Sequence, residues 1–245
     1  MITGKRIKKI AKLFVILVLL AFAYKHNPYQ VEFLGHYDKI WAHRVNTTAK
    51  LNWSTPFFIG VELDLVFTDG ILDVRHPPLE STDLSFEHYL KSLDADKNIG
   101  LWLDIKNLEP ANASLIHERI SSLLASSAYD KSLLLIESQN PDGLKPFLDD
   151  GFRCSYYLPV GLHSMSKEEL SPLVNMINEV IMDYPSLEIS SHFRDYELMQ
   201  QFNASKNLWI TRYSRFKDYK LIRSILADST VNTVLIPYRS VVGNR

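Results

Sequence analysis

The sequence predicts an α/β protein, a (β/α)8 barrel of the TIM type whose last helix is short or missing. Three observations carry that expectation. Strand-like runs alternate with segments of helical period, which calls for a parallel sheet. About eight such strands are present, enough to close a barrel rather than leave an open doubly wound sheet. The chain has 245 residues, close to the ~250 of a single barrel and ample for one core. No G-x-G-x-x-G or Walker motif points to a nucleotide-binding sheet.

In chain order, Lys5, Arg6, Lys8, Lys9 and Lys12 precede an apolar run from Leu13 to Tyr24. That run falls short of the ~20 apolar residues of a comfortable membrane span. A basic start, a short apolar stretch and Ala21-Phe22-Ala23 read as a secretory signal over residues 1–25, cleaved after Ala23. An uncleaved signal anchor is the alternative, since Ile7 and Ile10 lengthen the apolar face. No Cys follows the run, which disfavours a lipoprotein. Residues 26–38 are polar, contain Pro28 and have no periodic pattern, so they are expected to be a tether. The domain is expected over 39–245, exported and either periplasmic or held to the membrane by the N-terminal segment. Strands are expected near 40–45, 57–67, 100–106, 132–138, 152–158, 186–191, 207–213 and 231–237. Helices are expected over 84–93, 115–124, 142–149, 167–182, 194–203 and 217–227. The eighth strand ends near Tyr238, leaving only Arg239 to Arg245 for a final helix.

Composition narrows the partners. A net charge of −1 gives no global field for nucleic acid. Cys154 is the only cysteine, so no internal disulfide forms, which suits a bacterial envelope protein better than a small secreted scaffold. Sequons begin at Asn46, Asn52, Asn112 and Asn203, and such short patterns arise often by chance.

The chemistry-bearing residues gather in one third of the chain. Ile40 to Asn46 contains His43, Arg44 and Asn46; Gly60 to Phe67 contains Glu62 and Asp64; His76 follows a Thr68-Asp69-Gly70 turn; Leu101 to Asn107 contains Asp104 and Lys106. Strand residues two apart share a face, so Glu62 aligns with Asp64 and Asp104 with Lys106. A buried carboxylate costs several kcal/mol unless it is paired or bound to a metal, and two in one apolar strand repel. A divalent cation resolves that conflict, and hard oxygen ligands suit Mg²⁺ first, with Ca²⁺ or Mn²⁺ also possible. Zinc is disfavoured without an HxxxH or Cys cluster. The plainer alternative is a set of internal salt bridges, and what weighs against it is the combination of three carboxylates, two histidines and a lysine near strand ends. Barrel active sites lie at those C-terminal ends, and the Asp69-Gly70 hairpin signal returns His76 to the same mouth. Glu137, Tyr156, Tyr157, Trp209 and Arg212 are weaker candidates on later strands.

The order His43-Arg44-Val45-Asn46, Glu62-Leu63-Asp64, His76, Asp104-Ile105-Lys106 resembles the phospholipase-C-like phosphodiesterase superfamily, which includes glycerophosphodiester phosphodiesterases and sphingomyelinase-D-like toxins. Trp41-Ala42-His43, Val45-Asn46 and His76-Pro77-Pro78 look most like its menorin branch. The resemblance spans Asp38 to Tyr238 and is specific through Lys106. Glycerophosphodiesterases usually have Gly where this chain has Val45, Asp where it has Pro77, and an acid near residues 46–48, where it has none. Those departures bear on glycerophosphodiester substrates more than on the metal site. The resemblance implies a metal-dependent phosphodiester hydrolase acting on a lipid head group or envelope phosphodiester. It further implies a cation held by Glu62, Asp64 and Asp104, acid/base catalysis by His43 and His76, and substrate contacts from Lys106, Arg44 and Asn46. In that superfamily a substrate hydroxyl often attacks and leaves a cyclic phosphate; otherwise water attacks. The alternative is a catalytically inactive menorin-like binding protein that keeps the barrel and the metal site. A glycosidase with paired carboxylates would leave Lys106 and both histidines without a task.

Overall fold

Alternating apolar strands and amphipathic helices give a closed parallel barrel. The computed structural model describes residues 4–27, 29–93, 98–127 and 129–238. The strands are β1 (Ile40–His43), β2 (Gly60–Thr68), β3 (Ile71–Val74), β4 (Gly100–Ile105), β5 (Leu134–Ser138), β6 (Arg153–Tyr157), β7 (Glu188–His192), β8 (Lys206–Trp209) and β9 (Val231–Pro237). Eight of them run parallel in the order β1-β9-β8-β7-β6-β5-β4-β2, and Ala42 opposite Val61 closes β1 onto β2. The ninth, β3, is an antiparallel hairpin partner that extends β2 beyond the mouth, with Thr68 opposite Ile71. Gly70 sits at φ 79°, a conformation the turn requires and glycine adopts without a Cβ penalty.

The helices are α1 (Gly4–His26), α2 (Thr48–Ser54), α3 (Phe86–Lys91), α4 (Ala113–Ser127), α5 (Lys145–Asp149), α6 (Lys167–Asp183), α7 (Tyr196–Met199) and α8 (Tyr219–Ala227). Helix α6 begins with a reciprocal capping box between Ser166 and Glu169, which satisfies two otherwise unpaired amides. Helix α2 was not among the expected elements. It buries only Leu51 and Ser54, too little apolar periodicity to announce itself, although Thr47 caps it by accepting from Lys50 N. The strand expected over 207–213 ends at Trp209, and Arg212 in the left-handed region (φ 50°) turns the chain away.

Inside the barrel, alternation sorts the side chains into layers. Trp41, Trp102, Leu135 and Leu235, with Trp209 against them, form an apolar plug. Trp41 fits because its neighbours across the sheet are glycines: a Cβ on Gly60 would lie 2.2 Å from the indole and one on Gly100 2.3 Å. Above this plug, at the C-terminal ends of the strands, lie the charged residues of the mouth. Below it Glu188 accepts from Arg153 Nε (3.0 Å) and Nη2 (3.2 Å), Asn207 Nδ2 (2.7 Å) and Asn232 Nδ2 (3.2 Å). The main core lies outside the sheet, under the helices, and includes Leu63, Leu103, Ile136 and Ile189.

Residues 29–38, expected to be a polar tether, pack against the barrel. Phe33 is fully buried. Tyr213 Oη donates to Gln30 Oε1 (2.7 Å) and Glu32 Oε1 (3.0 Å), and Arg223 on α8 donates to the carbonyls of Glu32 and Leu34. On the other side Tyr29 packs edge-on against Phe57, just after α2. The segment thus runs between α8 and α2, the place a helix after β9 takes in a regular barrel. Arg239 to Arg245, on which the expectation of a short or missing helix falls, lie outside the described residues. The side chains from Leu13 to Leu20 on α1 are exposed, and among the described residues no helix is long and apolar enough to cross a membrane.

Candidate active site

Five strands deliver ionisable groups to one small cavity of about 70 Å³, lined by His43, Arg44, Glu62, Asp64, His76, Asp104, Lys106, Glu137, Tyr157, Trp209 and Leu235. The parallel register sets Asp64 opposite Asp104 and Asp104 opposite Glu137, so three acids stand at one level of adjacent strands. Glu62, two residues before Asp64, lies on the same inward face. The carboxylates of Glu62, Asp64 and Asp104 are all buried and offer oxygens within 4.8 Å of one another.

Each carboxylate is held in place. Arg44 N donates to Glu62 Oε2 (2.5 Å), made possible by the left-handed Arg44 backbone (φ 55°). His43 Nε2 stands 3.6 Å from the same oxygen. Asn46 engages Asp64 with both ends of its amide: Nδ2 donates to Asp64 Oδ2 (2.6 Å) and Oδ1 accepts from Asp64 N (2.9 Å). Lys106 Nζ bridges Asp64 Oδ1 (2.7 Å) and Asp104 Oδ2. His76 Nε2 is 4.0 Å from Asp64 Oδ1 and 3.2 Å from Arg44 Nη2, while its Nδ1 lies 2.5 Å from the Pro77 carbonyl. In that arrangement Nδ1–H donates to the carbonyl and Nε2 faces the cavity.

One lysine does not balance these acids. Burial, then repulsion from Asp64 and Asp104, pushes the Glu62 carboxyl well above its usual range. Burial raises Asp104, against the pull of Lys106. Burial acts upward on Asp64 as well, but Lys106 and the Asn46 amide outweigh it and hold the group low. Lys106 is desolvated, yet Asp104 and Asp64 keep its ammonium above the ordinary lysine range. Burial, then the Arg44 charge, lowers His43 to about 3, so its imidazole is neutral at physiological pH. An excess of buried hard oxygens fits a hard divalent cation: Glu62, Asp64 and Asp104 can hold one, and its charge would relieve the repulsion that Glu62 registers.

The sequence candidates His43, Arg44, Glu62, Asp64, His76, Asp104 and Lys106 all meet at this cavity. Asn46, expected to touch substrate, engages Asp64 with both ends of its amide and is not among the residues that line the cavity. Among the weaker candidates, Glu137, Tyr157 and Trp209 line the cavity, whereas Tyr156 points outward into the core and Arg212 is exposed outside the lining. Burial, then Asp104, raises Glu137 well above the carboxylate range, with Ser190 and Trp102 partly offsetting this. Lys50 escaped the sequence reading: its Nζ donates to the carbonyls of His43 (3.0 Å) and Arg44 (2.8 Å) and fixes the strained turn. No sequence pattern marks it, because its partners are backbone atoms.

No family model matches the chain, and no curated protein matches it. Solved structures do. A glycerophosphodiester phosphodiesterase from Parabacteroides distasonis is 18% identical, with a TM-score of 0.55 over 81% of this chain and 92% of its own. A phosphodiesterase from Oleispira antarctica, in complex with the product sn-glycerol-3-phosphate, is 14% identical, with a TM-score of 0.54 over 82% of this chain and 93% of its own. At such identities the likeness is one of fold.

Proposed function

We propose that this protein is a metal-dependent phosphodiester hydrolase acting on a lipid head group or another envelope phosphodiester. The observation that carries this reading is the meeting, at one barrel mouth, of three buried carboxylates with two imidazoles, a lysine and a guanidinium that pairs with no carboxylate among the described residues. Both structural neighbours described above are phosphodiesterases by description, which supports the same reaction class.

Glu62, Asp64 and Asp104 would hold the cation, with Mg²⁺ the first choice. When bound, it supplies Lewis-acid stabilisation to a phosphate oxygen. Lys106 and Arg44 add positive charge for the remaining phosphate oxygens as charge builds in the transition state. His43, neutral and therefore able to accept, takes the proton of the attacking hydroxyl at Nε2, where Glu62 stabilises the imidazolium that forms. His76 would act as the acid in its imidazolium form, donating Nδ1–H to Pro77 O, which fixes the ring, and giving the Nε2 proton to the leaving oxygen. Asn46 acts by positioning Asp64. The cavity admits a phosphoryl-sized group, so the rest of the substrate lies outside the mouth.

A second reading is a binding protein without turnover. It is favoured by Lys106, whose ammonium already sits between Asp64 and Asp104 as an internal counter-ion. Calorimetric titration of Mg²⁺, Mn²⁺ and Ca²⁺ into wild type and Asp64→Asn decides about the cation. Binding by wild type that disappears in the variant supports the metal site, and a phosphodiester screen then separates hydrolase from binder. No binding of any of the three ions sinks the metal-assisted mechanism.

A further inference from the structure

The segment after β8 is built differently from the other connections at the mouth. Residues 210–220 read Ile-Thr-Arg-Tyr-Ser-Arg-Phe-Lys-Asp-Tyr-Lys, cations interleaved with aromatics. Its single acid, Asp218, is turned inward, where it accepts from Ser214 N (2.7 Å) and Arg194 Nη2 (3.3 Å). Arg212, Lys217 and Lys220 are exposed, and Phe216 between them is 97% exposed, a large apolar side chain almost wholly in water.

This segment also holds the root of α1. Arg215 lies over the Tyr24 ring (4.4 Å) and pairs with the buried Glu32 (3.3 Å), which also accepts from Tyr24 Oη. Between these elements is a cavity of about 340 Å³ lined by Tyr24, Val31, Glu32, Arg215, Phe216 and Tyr219. Lys8, Lys9 and Lys12 are exposed on α1, beside its exposed apolar run. Other mouth connections carry exposed apolar side chains of their own: Ile71 at the hairpin tip, Leu79 before α3 and Val160 after β6, each at least half exposed.

We infer that the mouth docks onto an anionic lipid bilayer through Phe216 and its flanking cations, with α1 rooted at the same face. This deepens the phosphodiesterase reading and rests on it, since the cavity would then meet phosphodiesters as they stand in the lipid surface. Charge selects the occupant: within residues 210–220 the exposed basic side chains have no exposed acid among them and suit anionic head groups, at about fivefold in affinity per Lys or Arg near the surface. An aromatic side chain transfers its apolar area out of water at the interface.

The test uses the full chain, with vesicles of phosphatidylcholine alone or mixed with phosphatidylglycerol. An environment-sensitive fluorophore is placed at Phe216→Cys and, as a control, at Met182→Cys. Met182 is 70% exposed at the C-terminal end of α6, the opposite end of the barrel, and the native Cys154 is fully buried and does not label. Mixed vesicles are expected to blue-shift the label at 216, and spin-labelled lipid to quench it, with the label at 182 unaffected. In unlabelled protein, Phe216→Ser should weaken partition onto mixed vesicles about tenfold, and Lys217→Glu with Lys220→Glu by at least about 30-fold. A label at 216 that stays as wet as the one at 182, with or without vesicle binding through α1, overturns the docking. Hydrolysis of soluble bis(p-nitrophenyl) phosphate is read in parallel and should be unchanged by Phe216→Ser. If wild type cleaves no phosphodiester yet the label at 216 still enters lipid, the catalytic reading fails and the docking surface stands.

Discussion

The two ends of this barrel bury carboxylates in opposite ways. At the floor, Glu188 accepts two donors from Arg153 and one amide each from Asn207 and Asn232, so its charge is met by a cation and its lone pairs by hydrogen bonds. At the mouth, Glu62, Asp64, Asp104 and Glu137 share one lysine, and Glu62, Asp104 and Glu137 are all pushed upward by burial. The floor resembles a solved structural problem, whereas the mouth keeps a charge imbalance that either protonation or a bound cation would relieve. Buried charge by itself therefore says little about function; the informative quantity is how much of it the protein leaves uncompensated.

That contrast can be attacked from either end. The largest effect is expected from His43→Ala and His76→Ala, each lowering phosphodiester hydrolysis by about 10²–10⁴-fold while circular dichroism and melting stay those of wild type. A collapse of the fold in both variants would show the mouth to be a structural network like the floor. Arg153→Ala should do the reverse, costing about 2–4 kcal/mol of stability in denaturant titrations because Glu188 is left buried and unpaired, with hydrolysis per folded molecule retained. The penalty stays below that of a fully buried pair because the Arg153 side chain is 35% exposed and water screens it.

The apolar plug between the two ends gives the next prediction. Gly100→Ala places a Cβ 2.3 Å from Trp41, and the repacking should cost about 1–3 kcal/mol and shift Trp41 fluorescence. The smallest effect concerns pH. The folded state raises Glu62 above its ordinary value of 4.5, so the fold favours its protonated form. Its contribution is fully present below pH 4.5 and is lost as pH rises above it. In chelator, Glu62→Gln should therefore be the more stable protein at neutral pH by about 1 kcal/mol, with the advantage fading toward pH 4.5. Adding Mg²⁺ should reverse the ranking, and an unchanged ranking would mean that no cation resolves the imbalance.

The parts of this molecule visible in the sequence are those governed by short periods. Glu62-x-Asp64 and Asp104-x-Lys106 declare a shared strand face, and apolar alternation locates each barrel strand to within a few residues. Tyr156 and Tyr157 show the limit: adjacent residues take opposite faces, and composition alone does not say which enters the cavity. Asn46 illustrates another, since a polar residue near a site serves substrate or scaffold equally well until its partner is known. Residues 29–38 were opaque for a different reason. Their fold comes from Tyr213, Arg215 and Arg223, more than 180 residues away, and no local pattern encodes such a partnership.

That distant partnership carries a consequence for synthesis. Glu32 lies 191 residues from Arg223 and Lys39 lies 189 from Asp228, whose carbonyl it meets at 2.7 Å. The first-made stretch of the domain is thus held by the last-made, a high-contact-order closure whose loop entropy is met late in folding. On the ribosome the groove between α2 and the unfinished end of the sheet stays open until α8 and β9 emerge. Until then the edge of β1 has one neighbour instead of two, and the nascent chain is at its most vulnerable to pairing with another copy.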